Sequence, residues 1–132
     1  TELLLALQEA GIKRCVVTHS SNQLIQKIRR QNPILNTIPN WITREDYTHP
    51  KPNPECYQMA IHQFGEPHDH IIGFEDSPRG LHALLETQVK PVLICPPDSH
   101  YVASMMRYPQ VTYYPSFNTI QEGIKLSQDN SL

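Results

Sequence analysis

The chain has 132 residues, of which 39% are hydrophobic, and its formal net charge is −2 at pH 7. This length allows one globular domain at most, and the charge excludes the basic surface that nucleic acid or an anionic membrane would need. No apolar stretch approaches the roughly 20 residues that cross a bilayer. We recognise no signal peptide, and three cysteines without paired spacing indicate free thiols in a reducing compartment. We therefore expect a cytoplasmic protein with neither a nucleic-acid nor a membrane partner.

Predicted helices and strands alternate along the chain. Gly11 ends the first helix, the second begins after the polar residues 20–22 and ends before Pro33, and Asn53 caps the third. The predicted helices are 2–10, a second that starts from a cap within residues 20–22 and runs to about 31, 54–64, 78–88, 98–106 and 117–126, and the predicted strands are 13–18, 41–43, 71–75, 90–95 and 111–114. Pro91 favours an edge position for the fourth strand. This pattern predicts an α/β fold, a Rossmann-like and mostly parallel sheet with helices on both faces.

Two adjacent carboxylates, Glu75 and Asp76, follow the apolar segment 71–74 and precede a Ser-Pro turn that opens a helix. They are expected at the C-terminal rim of a buried strand, where open α/β sheets bind ligands. Neighbouring carboxylates repel each other unless a cation or a proton lies between them, and Mg²⁺ is the natural candidate because it prefers oxygen ligands. The alternative is that both acids only occupy the solvated start of a helix, where negative charge is favoured.

Thr18 ends another predicted strand just before a helix, so its hydroxyl can donate to a phosphate oxygen beside the backbone N–H groups that follow. The alternative is that Thr18 or Ser20 is simply the helix cap.

Lys51 lies in a loop with prolines at alternate positions, His49-Pro50-Lys51-Pro52-Asn53-Pro54-Glu55. The prolines stiffen the backbone and present the ammonium group from a rigid frame. A lysine ammonium is a compact charge that suits a phosphoryl oxygen or a carboxylate nucleophile. The alternative is a loop that is proline-rich for rigidity alone.

Three segments resemble, in this order and spacing, the second, third and fourth motifs of the haloacid dehalogenase-like hydrolase superfamily. They are Val17-Thr18-His19-Ser20, Lys51-Pro52-Asn53-Pro54-Glu55 and Gly73-Phe74-Glu75-Asp76-Ser77-Pro78-Arg79-Gly80. In the last two segments, the forms Lys-Pro-x-Pro-Glu and Glu-Asp-Ser-x-x-Gly resemble those of the branch that holds β-phosphoglucomutase and phosphoglycolate phosphatase. The resemblance spans roughly residues 3–97 and implies that residues 1–132 are the C-terminal portion of such a core domain.

The resemblance also implies a role for each matching residue. Thr18 would hold the transferring phosphoryl group, and Lys51 would neutralise the nucleophilic aspartate and its phosphorylated form. Asp76 would bind Mg²⁺ with Glu75 beside it, and Ser77 would hydrogen-bond within the same site. His19 departs from the small or amide residue often found after the second-motif hydroxyl, and it is the expected substrate contact there.

The first motif of the family, an Asp-x-Asp pair on a central strand, has no counterpart in this chain. Its aspartates stand at positions 46, 69, 76, 98 and 129, and no two are separated by one residue. The cap domain that this branch carries between its first two motifs has no counterpart either. We expect a missing N-terminal part of the same protein to supply the central strand, because two inner sheet edges would be unpaired without it; a domain-swapped neighbour is the alternative source.

The intact protein is therefore expected to be a Mg²⁺-dependent phosphatase that acts on a small phosphorylated metabolite through an aspartyl-phosphate, whereas this chain alone is expected to be inactive. One alternative is a sugar-phosphate mutase of the same superfamily. A second is a non-catalytic phosphate-binding or interaction module. A response-regulator receiver domain also combines acids, a threonine and a lysine, but there the acids come first in the chain and the lysine last.

Overall fold

The computed structural model describes residues 2–117 and has an α/β architecture. Its helices are α1 (Glu2–Glu9), α2 (Asn22–Gln31), α3 (Glu55–Phe64), α4 (Pro78–Leu85) and α5 (Val102–Met105), and its strands are β1 (Cys15–Val17), β2 (Asn40–Ile42), β3 (Ile72–Glu75), β4 (Lys90–Ile94) and β5 (Thr112–Tyr114). Two 3-10 helices, Pro33–Thr37 and Arg44–Asp46, were not predicted from the sequence. The predicted helix 117–126 lies outside the described residues except for Phe117. The chain divides into two compact units between Asp69 and His70.

The first unit contains a two-stranded parallel sheet of β1 and β2, on which α3 packs. Gly11 ends α1 as predicted, because it adopts a φ of +70°, a conformation that glycine reaches without steric cost. Ser21 caps α2, since its hydroxyl oxygen accepts the N–H of Leu24 at 3.2 Å. The buried side chains include Ile25, Ile42 and Cys56.

The second unit contains a three-stranded parallel sheet in the order β3-β4-β5, against which α4 packs. A core cluster joins α4, β4, α5 and the segment before β5 through the buried residues Leu81, Leu93, Cys95, Met105 and Val111. Thus all three pairings of strands among residues 2–117 are parallel, as the alternation of helices and strands predicts.

The edge position predicted for the strand that carries Pro91 is wrong, because β4 is the central strand of its sheet. The N–H of Lys90 donates to Ile71 on the β3 side, so the next residue in the strand faces β5. Pairing with β5 starts only at Val92, opposite Thr112. The missing N–H of Pro91 therefore costs no hydrogen bond, because the pairing of β4 with β5 begins only after this residue.

Strand β3 is less buried than the apolar segment 71–74 predicts. Ile72 and Phe74 are 54% and 38% exposed, whereas Glu75 is buried. Among residues 2–117, β3 pairs only with β4 and β1 only with β2. The missing N-terminal part remains a prediction.

Two helices are shorter than predicted. In α4 the helix stops at Leu85 because the N–H and the hydroxyl of Thr87 both bond to the carbonyl of Leu84, which closes a turn. In the segment 98–106 only Val102–Met105 is α-helical. All three cysteines are free thiols. No helix within residues 2–117 has the length and apolar character that crossing a membrane requires.

Candidate active site

Thr18 directly follows β1, at the end of the strand where a ligand site is expected. Its N–H donates to the carbonyl of Ile42 at 2.9 Å, which extends the pairing with β2. Its hydroxyl oxygen accepts the N–H of Ser20 at 3.1 Å. Because Ser21 is the cap of α2, neither Thr18 nor Ser20 serves that purpose, and the alternative from sequence is wrong. The hydroxyl proton of Thr18 is not engaged by the Ser20 contact.

Lys51 reaches the same end of β1. Its Nζ donates to the carbonyl of Val17 at 3.2 Å, so the ammonium lies next to the residue that precedes Thr18. The same Nζ lies 4.9 Å from the centroid of the Tyr57 ring, a cation–π geometry. The peptide bond between Lys51 and Pro52 is cis. Thr18 and Lys51, far apart in sequence, are thus brought together within the first unit.

Glu55 holds the loop that carries Lys51. Its carboxylate accepts the backbone N–H groups of Thr48 and His49 at 2.8 and 3.0 Å, and it pairs with the His49 ring at 2.6 Å. The Thr48 N–H, followed by the contacts from His49, lowers the pKa of Glu55. Sequence reasoning matched Glu55 to a motif without seeing this role. An acid in the first turn of a helix that follows a stiff loop is the signal that could have found it.

His19 contacts Tyr47, a residue that sequence reasoning missed. The Nδ1 atom of His19 lies 2.8 Å from the Tyr47 hydroxyl, which in turn lies 3.2 Å from the carbonyl oxygen of Thr18. His19 is exposed, whereas Tyr47 is only 8% exposed. Burial raises the pKa of the Tyr47 phenol and the nearby Lys51 ammonium opposes this, so the hydroxyl keeps its proton at neutral pH. No pattern in the sequence distinguishes Tyr47 from the other tyrosines.

Glu75, Asp76 and Ser77 lie together in the second unit, at the end of β3 and the start of α4. Asp76 is exposed, and its backbone carbonyl accepts the hydroxyl of Tyr101 at 2.5 Å. Glu75 is 9% exposed and packs against Gly80. Ser77 is the cap of α4, because its hydroxyl oxygen accepts the N–H of Gly80 at 3.3 Å. Ser77 therefore caps α4, and its predicted hydrogen bond within an active site stays a prediction.

The two carboxylates fit part of a magnesium site. The side chain of Asp76 is accessible from solvent at a strand end, and Mg²⁺ commonly uses one or two protein carboxylates beside water and phosphate oxygens. Glu75 is suited to a supporting place, because its carboxylate is buried against the first turn of α4. Within residues 2–117, no three or more His, Cys, Asp or Glu side chains form a group that could hold a metal ion by themselves.

A family model described as haloacid dehalogenase-like hydrolase matches residues 1–94, which include all three motifs. The chain belongs to this family. The match confirms the resemblance based on the segments around Thr18, Lys51 and Asp76. No curated protein matches the chain significantly.

Solved structures of haloacid dehalogenase-like proteins share its fold. A hydrolase of this superfamily from Ehrlichia chaffeensis is 17% identical with a TM-score of 0.75, and the match covers 95% of this chain and 55% of that one. A putative β-phosphoglucomutase from Thermotoga maritima is 16% identical with a TM-score of 0.76, and the match covers 92% of this chain and 57% of that one. A putative haloacid dehalogenase-like hydrolase from Bacteroides fragilis is 18% identical with a TM-score of 0.79, and the match covers 90% of this chain and 56% of that one. Identities this low establish the fold alone, and the chain spans about half the length of these proteins.

Proposed function

We propose that the whole protein is a Mg²⁺-dependent phosphohydrolase that acts on a small phosphomonoester through an aspartyl-phosphate intermediate. Membership of the haloacid dehalogenase-like hydrolase family supports the reaction class. The observation that carries the proposal is the position of Lys51, whose ammonium lies 3.2 Å from the carbonyl of Val17 at the end of β1.

Lys51 and Thr18 supply the two interactions that a phosphoryl group needs from a protein. The ammonium offers a compact positive charge beside Thr18, and the Thr18 hydroxyl can donate its proton while its oxygen accepts the N–H of Ser20. Prearranged charges and donors of this kind account for most of the catalysis of phosphoryl transfer. The cation–π contact with Tyr57 keeps the ammonium in position before any substrate arrives. The hydrogen bonds that Glu55 accepts from the backbone of the Lys51 loop, which we call the Glu55 clamp, hold the loop itself.

Asp76, supported by Glu75, would hold the Mg²⁺ ion, which when bound offsets the negative charge of the phosphate. Among the aspartates within residues 2–117, only Asp76 directly follows a strand, and it is the proposed Mg²⁺ ligand. We propose that the nucleophile comes from an N-terminal part of the same protein that also completes the sheet. The 132-residue chain alone is then inactive.

The deciding experiment measures Mg²⁺-dependent release of phosphate from p-nitrophenyl phosphate by the full-length protein and its Lys51→Met variant. Methionine keeps an unbranched side chain as far as Cε and removes the ammonium group, so we expect kcat to fall by about 10²- to 10³-fold. Lys13→Met is the matched control, because Lys13 precedes the opposite end of β1 and pairs with Asp69 at 3.4 Å on the exposed surface. We expect full activity in this control.

Each other outcome favours a different function. Full activity of Lys51→Met would remove Lys51 from the mechanism and contradict the proposal. Interconversion of sugar phosphate isomers without release of phosphate would indicate a mutase. Binding of inorganic phosphate without turnover of any phosphomonoester would indicate a non-catalytic module.

A further inference from the structure

The hydroxyl of Tyr47 connects the backbone of Thr18 to the ring of His19. It lies 3.2 Å from the Thr18 carbonyl oxygen and 2.8 Å from Nδ1 of His19. Both contacts can be hydrogen bonds at the same time only when the Tyr47 hydroxyl donates to Thr18, because a carbonyl can only accept and a phenol has a single proton. Its oxygen is then the acceptor in the second contact, and Nδ1 of His19 must carry the proton that it receives.

This direction of hydrogen bonding fixes the tautomer of His19. A neutral imidazole has one protonated and one unprotonated nitrogen, and an unconstrained ring exchanges between the two forms. With the proton held on Nδ1, Nε2 is left as a hydrogen-bond acceptor. The side chain is exposed, and no hydrogen bond to Nε2 is formed by the described residues 2–117. The acceptor is therefore open to a ligand.

We infer that Tyr47 holds His19 as a hydrogen-bond acceptor that selects phosphomonoesters with a hydroxyl group close to the phosphate. The inference rests on the proposed function, because Thr18 is the residue that would bind the phosphate and His19 directly follows it. A substrate hydroxyl can donate to Nε2, whereas an alkyl group at the same place leaves Nε2 unpaired. A carboxylate there would face the lone pair of Nε2 and be disfavoured. Tyr47 acts as a positioning residue, since it touches His19 and not the substrate.

The first test reads the tautomer directly by long-range ¹H–¹⁵N NMR of the full-length protein, with His19 assigned from the His19→Gln variant. We expect a protonated Nδ1 and an unprotonated Nε2 in the neutral ring. Tyr47→Phe should release the ring to exchange between tautomers. Tyr113→Phe is the matched control, because the Tyr113 hydroxyl also donates to a backbone carbonyl beyond a strand end, that of Cys95 at 2.8 Å. A neutral ring protonated on Nε2 in the unaltered protein would overturn the inference.

The second test compares kcat/KM for glycerol 3-phosphate and n-propyl phosphate, two esters that differ only in their hydroxyl groups. One hydrogen bond at an exposed residue should favour glycerol 3-phosphate by about three- to tenfold, and His19→Leu should abolish this preference. His19→Gln should keep part of it, because the amide oxygen can accept in place of Nε2. Tyr47→Phe should lower the preference while Tyr113→Phe leaves it unchanged.

The outcomes separate this inference from the proposed function. If the full-length protein releases phosphate neither from p-nitrophenyl phosphate nor from either ester, the proposed function fails and this inference fails with it, whereas hydrolysis of p-nitrophenyl phosphate alone overturns only this inference. If both are hydrolysed with equal efficiency, or if His19→Leu keeps the preference, the inference is overturned and the phosphohydrolase stands. Should Tyr47→Phe not fold, the tautomer of the unaltered protein and the kinetics of the exposed His19 variants still decide.

Discussion

The carboxylate of Glu75 occupies the space that a side chain at Gly80 would fill. A Cβ atom at position 80 would lie 2.0 Å from a carboxylate oxygen of Glu75, far inside the contact distance. Gly80 is in the first turn of α4 and Glu75 is the last residue of β3. A side chain at position 80 would therefore displace the Glu75 carboxylate, and this restriction does not come from the backbone conformation of the glycine.

We predict that Gly80→Ala lowers the free energy of unfolding by about 1–2 kcal/mol, because the buried Glu75 carboxylate must leave its place. The expected sign is opposite to that of most glycine-to-alanine changes in helices, which gain up to about 1 kcal/mol. Urea denaturation followed by circular dichroism measures the difference.

The control for this prediction is the same substitution in a Glu75→Ala background. Without the carboxylate, Gly80→Ala should become stabilising, because only the helix propensity remains. If the substitution has the same sign in both backgrounds, the contact with Glu75 does not explain the glycine.

The sequence predicts the elements whose signals are local. The second helix was placed to within about two residues, because the polar residues 20–22 offer caps for its start and Pro33, which lacks an N–H, marks its end; Ser21 is the cap that is used. The approach of Lys51 to the end of β1 could be foreseen only in outline, from the rule that functional loops follow strand ends. Distances of this kind depend on how α3 packs on the sheet, which no single segment encodes.

Other features depend on contacts between distant residues, and the sequence does not show which residues meet. Tyr47 resembles any other aromatic residue until its hydroxyl is found between His19 and Thr18. The central position of β4 contradicts the general rule about proline in strands, and only the register of the three strands shows that no hydrogen bond is lost. In both cases the decisive fact is a contact between residues distant in the chain.

Glu55→Gln tests the clamp on the Lys51 loop. The oxygen of a glutamine amide can accept only one of the N–H groups of Thr48 and His49, and its NH2 group would oppose the other, so we expect lower stability and a kcat reduced by about 10- to 100-fold through misplacement of Lys51. The stability effect depends on pH. The folded pKa of Glu55 lies below its ordinary value of 4.5, so its contribution is present above pH 4.5 and is lost as the pH falls through the folded pKa.

Thermal denaturation at a series of pH values measures this dependence. The difference in Tm between the unaltered protein and Glu55→Gln should be present at neutral pH and shrink toward zero in strong acid. Glu66→Gln is the control, because the Glu66 side chain is 71% exposed and its ion pair with Lys13 spans 4.0 Å. A difference that grows on acidification would contradict the clamp.

Tyr101→Phe tests whether the backbone at Asp76 is held in place for a metal ion. The substitution removes the hydroxyl that donates to the Asp76 carbonyl and keeps the ring. If Asp76 binds Mg²⁺ as proposed, the Mg²⁺ concentration for half-maximal activity should rise by about three- to tenfold. Isothermal titration with Mg²⁺ alone should show the same loss. An unchanged Mg²⁺ dependence would mean that this hydrogen bond does not position a ligand.

The three cysteines are expected to be unreactive in the folded protein. Cys56 and Cys95 are 0% and 3% exposed, and burial raises the pKa of the Cys15 thiol from 9.0 to about 11. At pH 8, iodoacetamide should therefore leave the peptides that contain these residues unmodified in the native protein and alkylate all three in guanidinium chloride, as read by peptide mass spectrometry. Because the unfolded thiol of Cys15 ionises first, the free energy of unfolding should also fall as the pH rises from 9 to 11, and Cys15→Ala should remove this part of the dependence. Rapid native alkylation of Cys15 would show that its thiol is not shielded by β1 and its neighbours.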